Sequence, residues 1–375
     1  MNIAHGKRNL NGLYVLGSLY PYVTGGMEIF NYYFLRNRLE SAGDSIYYLG
    51  KERADSKKGH FVHLKKLWPA RLFYPIQFFF AIFRLRKRPD YVYLCYAEQS
   101  WIIVYSQSLI LRFFKIPYII TNHWGKEPDW KFAYPFIYYF RHAHAVIGVS
   151  EPICSAFKRA IPDQDFQYIP PLIPFELSPH SKTESKRQLG YEAGEKILLF
   201  VGSLKGMKNP DKIVEAFRII GPEWLEEHNM RLVLAGKGEM ESELKERIAS
   251  SQLGKYIRLA GLVSRQMIPD YYHAADVYII SSDYEGTPLS LLEAMFNRLP
   301  IIASDAPGIN GILIHEQNAF LYETSNSKEL ADAVKRLFSD PALASRLSDM
   351  ALNEFNIRYS YESMMEKYIS IFSSV

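Results

Sequence analysis

Cysteine is nearly missing from this chain: Cys95 and Cys154 are the only two among 375 residues. Two thiols, each in or beside an apolar segment, form no disulfide framework and no paired metal-ligand spacing. A reducing cytoplasm is therefore the expected setting. Long apolar runs are missing too. The longest, Leu72–Phe83, falls short of the roughly 20 residues that span a bilayer, and no transmembrane helix is expected. Met1 to Leu10 is polar, so no secretory leader is expected. A dominant charge is lacking as well. The 44 basic and 40 acidic residues leave +4, which gives no mandate for a nucleic-acid partner. Finally, G-x-G-x-x-G does not follow the first apolar strand, which argues against a nicotinamide dinucleotide.

The length suits two α/β domains of similar size. With 48% hydrophobic and 22% charged residues, the composition is that of a folded enzyme. Tyr and Phe are abundant, at 27 and 23, and can fill cores, stack on sugars or sit at a membrane interface. Charge is unevenly spread: between Lys51 and Arg88 only Glu52 and Asp55 interrupt a basic stretch, which implies an anionic neighbour. Within it, 64–88 combines aromatics with basic flanks. It reads equally as a contact with an anionic membrane surface, giving peripheral attachment, or as a helix covering a sheet.

Short Val/Ile/Leu-rich runs alternate with longer helical patterns throughout. Strands are expected at 12–17, 45–49, 91–96, 117–122, 145–149 and 167–169. In the second half they are expected at 196–202, 231–235, 257–260, 276–281, 300–303 and 319–322. Helices are expected between them, as at 27–41, 211–220 and 239–250. This rhythm predicts parallel sheets covered on both faces, in two Rossmann-like doubly wound domains. Four prolines between Pro170 and Pro179 stiffen a connection, which places the boundary near 175/176. The last helical pattern, 359–375, is expected to cross back onto the first domain. Ligands of such folds bind at the carboxyl ends of the strands.

The most informative segment runs from Ser281 to Phe296. Thr287 suits an N-cap and Pro288 the first helical position. The helix that follows is apolar almost all round, and hence buried. Glu293 is the anomaly in it: a buried carboxylate needs donors, which either ribose hydroxyls or a structural Lys or Arg supply. Glu285 lies on the loop before the helix, where free amides suit a diphosphate.

Glu285 and Glu293 with the seven residues between them resemble the E-x7-E signature of glycosyltransferase family 4, retaining enzymes of the GT-B fold. The similarity extends over most of the C-terminal half, including Leu198–Leu204, Leu232–Gly238, Ala275–Tyr278 and Ser304-Asp305. It implies that Glu293 binds the nucleotide ribose and that Glu285 meets the donor sugar or its phosphate. Gly286 and Thr287 would offer backbone amides, and Leu262 would lie at the base-contacting edge. In the loop Gly202–Asn209, Lys208 matches a family lysine that neutralises the leaving diphosphate. Ser203 stands where the family carries Arg, and Lys205 is a substitute for that charge. Gly311 departs from a common Glu.

In the first half, Gly25 and Gly26 precede a helical pattern and resemble the family's Gly-Gly loop beside the donor phosphate and acceptor. His123 follows a strand, at the place where related enzymes contact the donor sugar. Asp163-Gln-Asp165 reads as a solvated turn rather than a metal motif, and no metal or other cofactor is expected. The resemblance thus implies retaining transfer of a sugar from a nucleoside-diphosphate donor to a hydroxyl of a glycan or lipid-linked acceptor. It also suggests front-face attack, with the leaving phosphate taking the acceptor proton. Alternatives are a non-catalytic sugar-nucleotide-binding protein and a GT-B sugar-nucleotide epimerase.

Overall fold

The computed structural model describes residues 12–16, 34, 47–50, 60–63, 70–85, 87–96, 100–123, 134–171 and 174–375. Gly25, Gly26, 64–69 and Arg86 lie outside them. The chain divides into two compact units, Met1–Pro174 with Tyr361–Val375, and Phe175–Ser360.

The first unit holds a seven-stranded parallel sheet in the order β3-β2-β1-β4-β5-β6-β7. Its elements are β1 (Gly12–Leu16), β2 (Tyr47–Gly50), β3 (His60–His63), α1 (Ala70–Phe83), β4 (Tyr91–Tyr96), α2 (Trp101–Phe113), β5 (Tyr118–Asn122), α3 (Tyr134–Arg141), β6 (Ala145–Gly148), α4 (Glu151–Ala160) and β7 (Phe166–Tyr168). The order reverses between β1 and β4, as in a doubly wound sheet. Central strands such as β5 are buried along their whole length, which is why they read as unbroken apolar runs. On one face Leu13, Val92, Leu94 and Ile120 pack against Phe78, Leu111, Phe140 and Phe157 from the helices.

The second unit holds a six-stranded parallel sheet, β10-β9-β8-β11-β12-β13. In chain order come α5 (Lys182–Gln188), β8 (Lys196–Val201), α6 (Pro210–Ile220), α7 (Pro222–Glu227), β9 (Met230–Ala235), α8 (Glu241–Ser250), β10 (Ile257–Gly261), α9 (Ile268–Ala274), β11 (Val277–Ile280), α10 (Leu289–Phe296), β12 (Ile301–Ser304), β13 (Phe320–Tyr322), α11 (Ser327–Ser339) and α12 (Pro341–Arg358). Within the polar stretch 180–195, which follows the proline-rich connection, Lys182–Gln188 forms α5. Ser181 and Glu184 close it with a reciprocal capping box, a pairing that satisfies two free helix-end amides. Lys186 on α5 is buried, donating to the Glu195 carbonyl (2.6 Å) and to Asp276 (3.1 Å). Lys182 adds a second ion pair to Asp276 at 2.8 Å. These contacts overcome burial and hold the Asp276 carboxyl below its usual range.

After α12 the chain returns to the first unit as α13 (Tyr361–Ser373). Met364, Tyr368, Ile371 and Phe372 are buried there with Tyr14, Phe34, Tyr91, Tyr93 and Ile119. Phe372 meets the Tyr91 ring at 5.1 Å and Tyr93 at 5.5 Å. Much of the aromatic surplus in the composition is core.

Candidate functional site

In a doubly wound sheet, the loops after the strands on either side of the reversal diverge and leave room for a ligand at their carboxyl ends. The reversal in the second unit falls between β8 and β11. The loop after β8 carries Lys205 and Lys208, and the loop after β11 carries Glu285. Lys208 and Glu285, 77 positions apart, meet there as an ion pair. Ser282 donates a second hydrogen bond to the same Glu285 oxygen at 2.6 Å. Both side chains stay partly open, 21% for Lys208 and 12% for Glu285. A ligand can therefore still reach the pair.

The two loops are also stapled through their backbones. Ser281 donates to the Lys208 carbonyl at 2.6 Å, and the Asp283 amide donates to the Met207 carbonyl at 3.0 Å. Asn209 adopts a left-handed conformation (φ 48°) between the 3-10 turn Gly206–Lys208 and α6, a geometry that Asn tolerates better than most residues. Its buried amide donates to the Ser281 carbonyl (3.0 Å) and to Asp283 (2.6 Å). Lys208 is thus delivered from a fixed turn. Lys205, three residues earlier, is exposed.

Glycines let neighbouring loops approach. A Cβ on Gly238 would lie 2.1 Å from the Leu204 carbonyl oxygen, and the Leu204 amide donates to Lys237 at 3.0 Å. Gly308, at φ +84°, lies where a Cβ would come within 1.9 Å of the Glu285 carbonyl oxygen. The Glu285 amide in turn donates to Pro307 at 3.0 Å. The small-residue turn that contains Gly311 therefore braces Glu285.

Glu293 lies on α10, where Leu291 through Met295 are all buried. The helix begins at Leu289, with Pro288 rather than Thr287 at the N-cap. The expected cap is therefore displaced by one residue. The Pro288 carbonyl accepts from the Leu291 and Leu292 amides at 3.1 and 3.2 Å, so proline starts the turn without needing an N–H. Gly286 and Thr287 are partly buried on the loop ahead of it.

The Glu293 carboxylate, only 9% exposed, pairs with Arg265 on the loop after β10. Burial pushes its carboxyl above the usual range, and Arg265 and Tyr272 pull it back only in part. Arg265 is itself about a third open. A protein donor thus sits on this carboxylate, a structural cation being one of the two partners expected for it. Leu262, on the same loop, is 77% exposed. That excludes a core-filling role for it.

His123 follows β5 in the first unit. Burial pushes its pKa down to about 4, so the ring is neutral near pH 7. Asp165 in the D-x-D stretch accepts from Gln167 at 3.1 Å. Among the described residues no group of three His, Cys, Asp or Glu side chains is placed to hold a metal ion. Arg265, Ser282, Asn209 and Asp283 were not signalled as site residues; only the Asn-Pro pair at 209–210 marks a special turn in the sequence.

Residues 181–353 match the family model described as glycosyl transferases group 1. An uncharacterized glycosyltransferase of Methanocaldococcus jannaschii is 28% identical over 230 residues, 60% of this chain and 57% of that one. A UDP-Gal:alpha-D-GlcNAc-diphosphoundecaprenol alpha-1,3-galactosyltransferase of Escherichia coli is 30% identical over 187 residues, 49% of this chain and 48% of that one. The chain spans about half the length of the curated relatives it matches. Anabaena HepE, solved in complex with UDP, superposes with a TM-score of 0.76 at 16% identity, covering 98% of this chain and all of that one. The fold is GT-B, with two Rossmann-like units and a helical C-terminus.

Proposed function

We propose that this chain is a retaining glycosyltransferase of the family 4 type. It would move a sugar from a nucleoside-diphosphate donor to a hydroxyl of a glycan or lipid-linked acceptor. The observation that carries the reading is the Lys208–Glu285 pair at the reversal of the second sheet, inside the segment that matches the family. The match to an enzyme named for a diphosphoundecaprenol acceptor supports a lipid-linked glycan.

In this reading the bond between the anomeric carbon and the phosphate oxygen breaks while the acceptor oxygen bonds to the same carbon. The acceptor proton passes to the departing phosphate. Negative charge grows on that phosphate, and a cation already fixed beside it stabilises the transition state without reorganisation. Lys208 supplies that cation, and Glu285 holds it in place until the diphosphate arrives. Lys205, exposed on the same loop, adds charge where Ser203 supplies none. Gly286 and Thr287 present amides, Glu293 takes the ribose, and Leu262 lies under the base. His123, as a neutral imidazole, serves as a hydrogen-bond partner for the sugar rather than as a charge.

Proton NMR of the anomeric centre during turnover is the test. A product with the donor's configuration is expected, and an inverted product refutes retention. Donor that binds but is never transferred or hydrolysed, with any acceptor, points instead to a silent sugar-nucleotide-binding protein. The Ser203 and Gly311 departures favour that second reading.

A further inference from the structure

The helices of the first unit present a surface that neither the core nor the proposed reaction explains. Helices α1 and α2 each lead back to the next parallel strand, so they lie side by side and run the same way. Their C-terminal ends join through rings: Phe79 meets Phe83, Phe113 and Phe114 at 6.4, 6.4 and 5.3 Å. Outward from this cluster Phe80, Phe83 and Phe113 are 47%, 67% and 74% exposed. On α1, Ile76 continues the face of Phe80 and Phe83, and on α2 Leu109 and Trp101 continue that of Phe113; all three are exposed. This spacing of three, four and eight residues lines up one side of a helix. Isolated exposed apolar residues need no explanation, but two adjoining stripes do.

The charge around the patch is mostly positive, with Asp90 the exposed acid that follows α1. Exposed Arg84, Lys87, Arg88, Arg112 and Lys115 gather at the same ends of α1 and α2. Arg88 fastens the two ends together by donating to the Phe114 and Lys115 carbonyls, the latter at 2.8 Å. Neither helix carries an Asp or Glu, and α3 has none either. The surface helix α8 of the second unit, by contrast, pairs its cations with Glu241 and Glu243. Basic side chains in excess of acids beside exposed aromatics fit a partner that is both apolar and anionic. A helix of 14 residues extends about 21 Å, short of the hydrocarbon thickness. No helix among the described residues is long and apolar enough to cross a membrane.

We propose that the C-terminal ends of α1 and α2 dock onto the surface of an anionic lipid bilayer. Phe80, Phe83 and Phe113 would sit at the acyl boundary, and Arg84, Lys87 and Lys115 among the headgroups. This narrows the membrane contact expected over 64–88 to the second half of that segment and adds α2, which the sequence did not signal. It rests on the reading of a lipid-linked acceptor only for its purpose. Docking itself needs neither donor nor acceptor.

The test is co-sedimentation of the full chain with vesicles of phosphatidylcholine alone or with about one-third phosphatidylglycerol, without nucleotide, at low and high salt. Binding is expected only to the anionic vesicles, and is expected to fall steeply with salt. The double variant Phe83→Glu/Phe113→Glu is expected to lose at least tenfold in vesicle affinity. Lys87→Glu/Lys115→Glu is expected to lose as much, with a flatter salt dependence. A thermal shift with UDP, GDP or ADP reports the fold and the donor site of each variant separately. Loss of vesicle binding with that shift intact supports the surface, whereas loss of both marks a misfolded variant and passes the test to the lysine pair. No sedimentation of the wild type, equal binding to neutral vesicles, or variants that sediment like the wild type overturns the proposal. A change of oligomeric state in the phenylalanine variants without wild-type vesicle binding would assign the patch to a protein partner instead.

Discussion

At the scale of single residues, the site rests on two ion pairs of different character. Lys208–Glu285 is open enough for a diphosphate to displace the carboxylate. Replacing Lys208 by Ala should lower kcat by about 10²–10³, the usual cost of removing one transition-state donor. Donor turnover under saturating substrate is the measurement. In Arg265–Glu293 the carboxylate is the more buried, 9% exposed against 12%, while the cation is the more open, 35% against 21%. Removing Arg265 leaves a buried carboxylate whose pKa burial already raises. Arg265→Ala should therefore destabilise the fold by about 2 kcal/mol, discounted because the arginine is partly solvated. It should also make nucleotide affinity rise with pH, as the Glu293 carboxyl, held above its usual range by burial, ionises. A pH-independent affinity in the variant would sever the link between the two residues. His123 gives a third case. Its pKa is pushed down to about 4 in the fold against roughly 6.5 when unfolded. The unfolded chain then binds more protons between those values, so His123 contributes stability that is complete above pH 6.5 and lost as pH falls towards 4. A ring-proton NMR titration with its midpoint near 6.5 would contradict this.

Secondary-structure elements show where the sequence was legible. Strands β8, β9 and β11 are continuous apolar runs because helices cover both faces, and such runs are visible without coordinates. The burial of α10 was legible in the same way, from Leu289 to Phe296. Strand β3 was not, since His60–His63 is four residues long and follows a basic stretch that masks it. Arg265 was equally hidden: an arginine in a polar loop looks solvated until the fold brings it to a glutamate 28 positions on. The staple between the loops after β8 and β11 depends on backbone carbonyls, which leave no trace in residue identity. Gly308 shows the same limit. Its positive φ and its contact with Glu285 mean that Gly308→Ala should cost a few kcal/mol and displace Glu285. A lower Tm together with a raised donor KM is expected, and an unchanged enzyme would show that the turn does not brace the site.

Across the whole molecule, the last helix belongs to the first unit although it follows the second in sequence. Phe372 and Tyr368 are almost wholly buried against the first sheet. Burying a large apolar side chain contributes about 2–3 kcal/mol. Losing Met364, Met365, Tyr368, Ile371 and Phe372 therefore removes about 10–15 kcal/mol, comparable with the 5–15 kcal/mol by which a typical domain is stable. A chain ending at Ser360 should expose its first unit to protease while 175–360 survives as a resistant fragment. Limited proteolysis that leaves the first unit intact would show that α13 is dispensable. Lys208, Glu285 and Glu293 lie in the second unit, outside that helix.

Titration of the purified chain with UDP, GDP and ADP, followed by thermal unfolding, tests the donor site most directly. One of the three should stabilise the wild type saturably, by about 2.7 kcal/mol at a hundredfold excess over Kd. Glu293→Ala should abolish that gain. Stabilisation by none of the three, or by one of them equally in the Glu293 variant, would contradict a nucleotide site built on this helix.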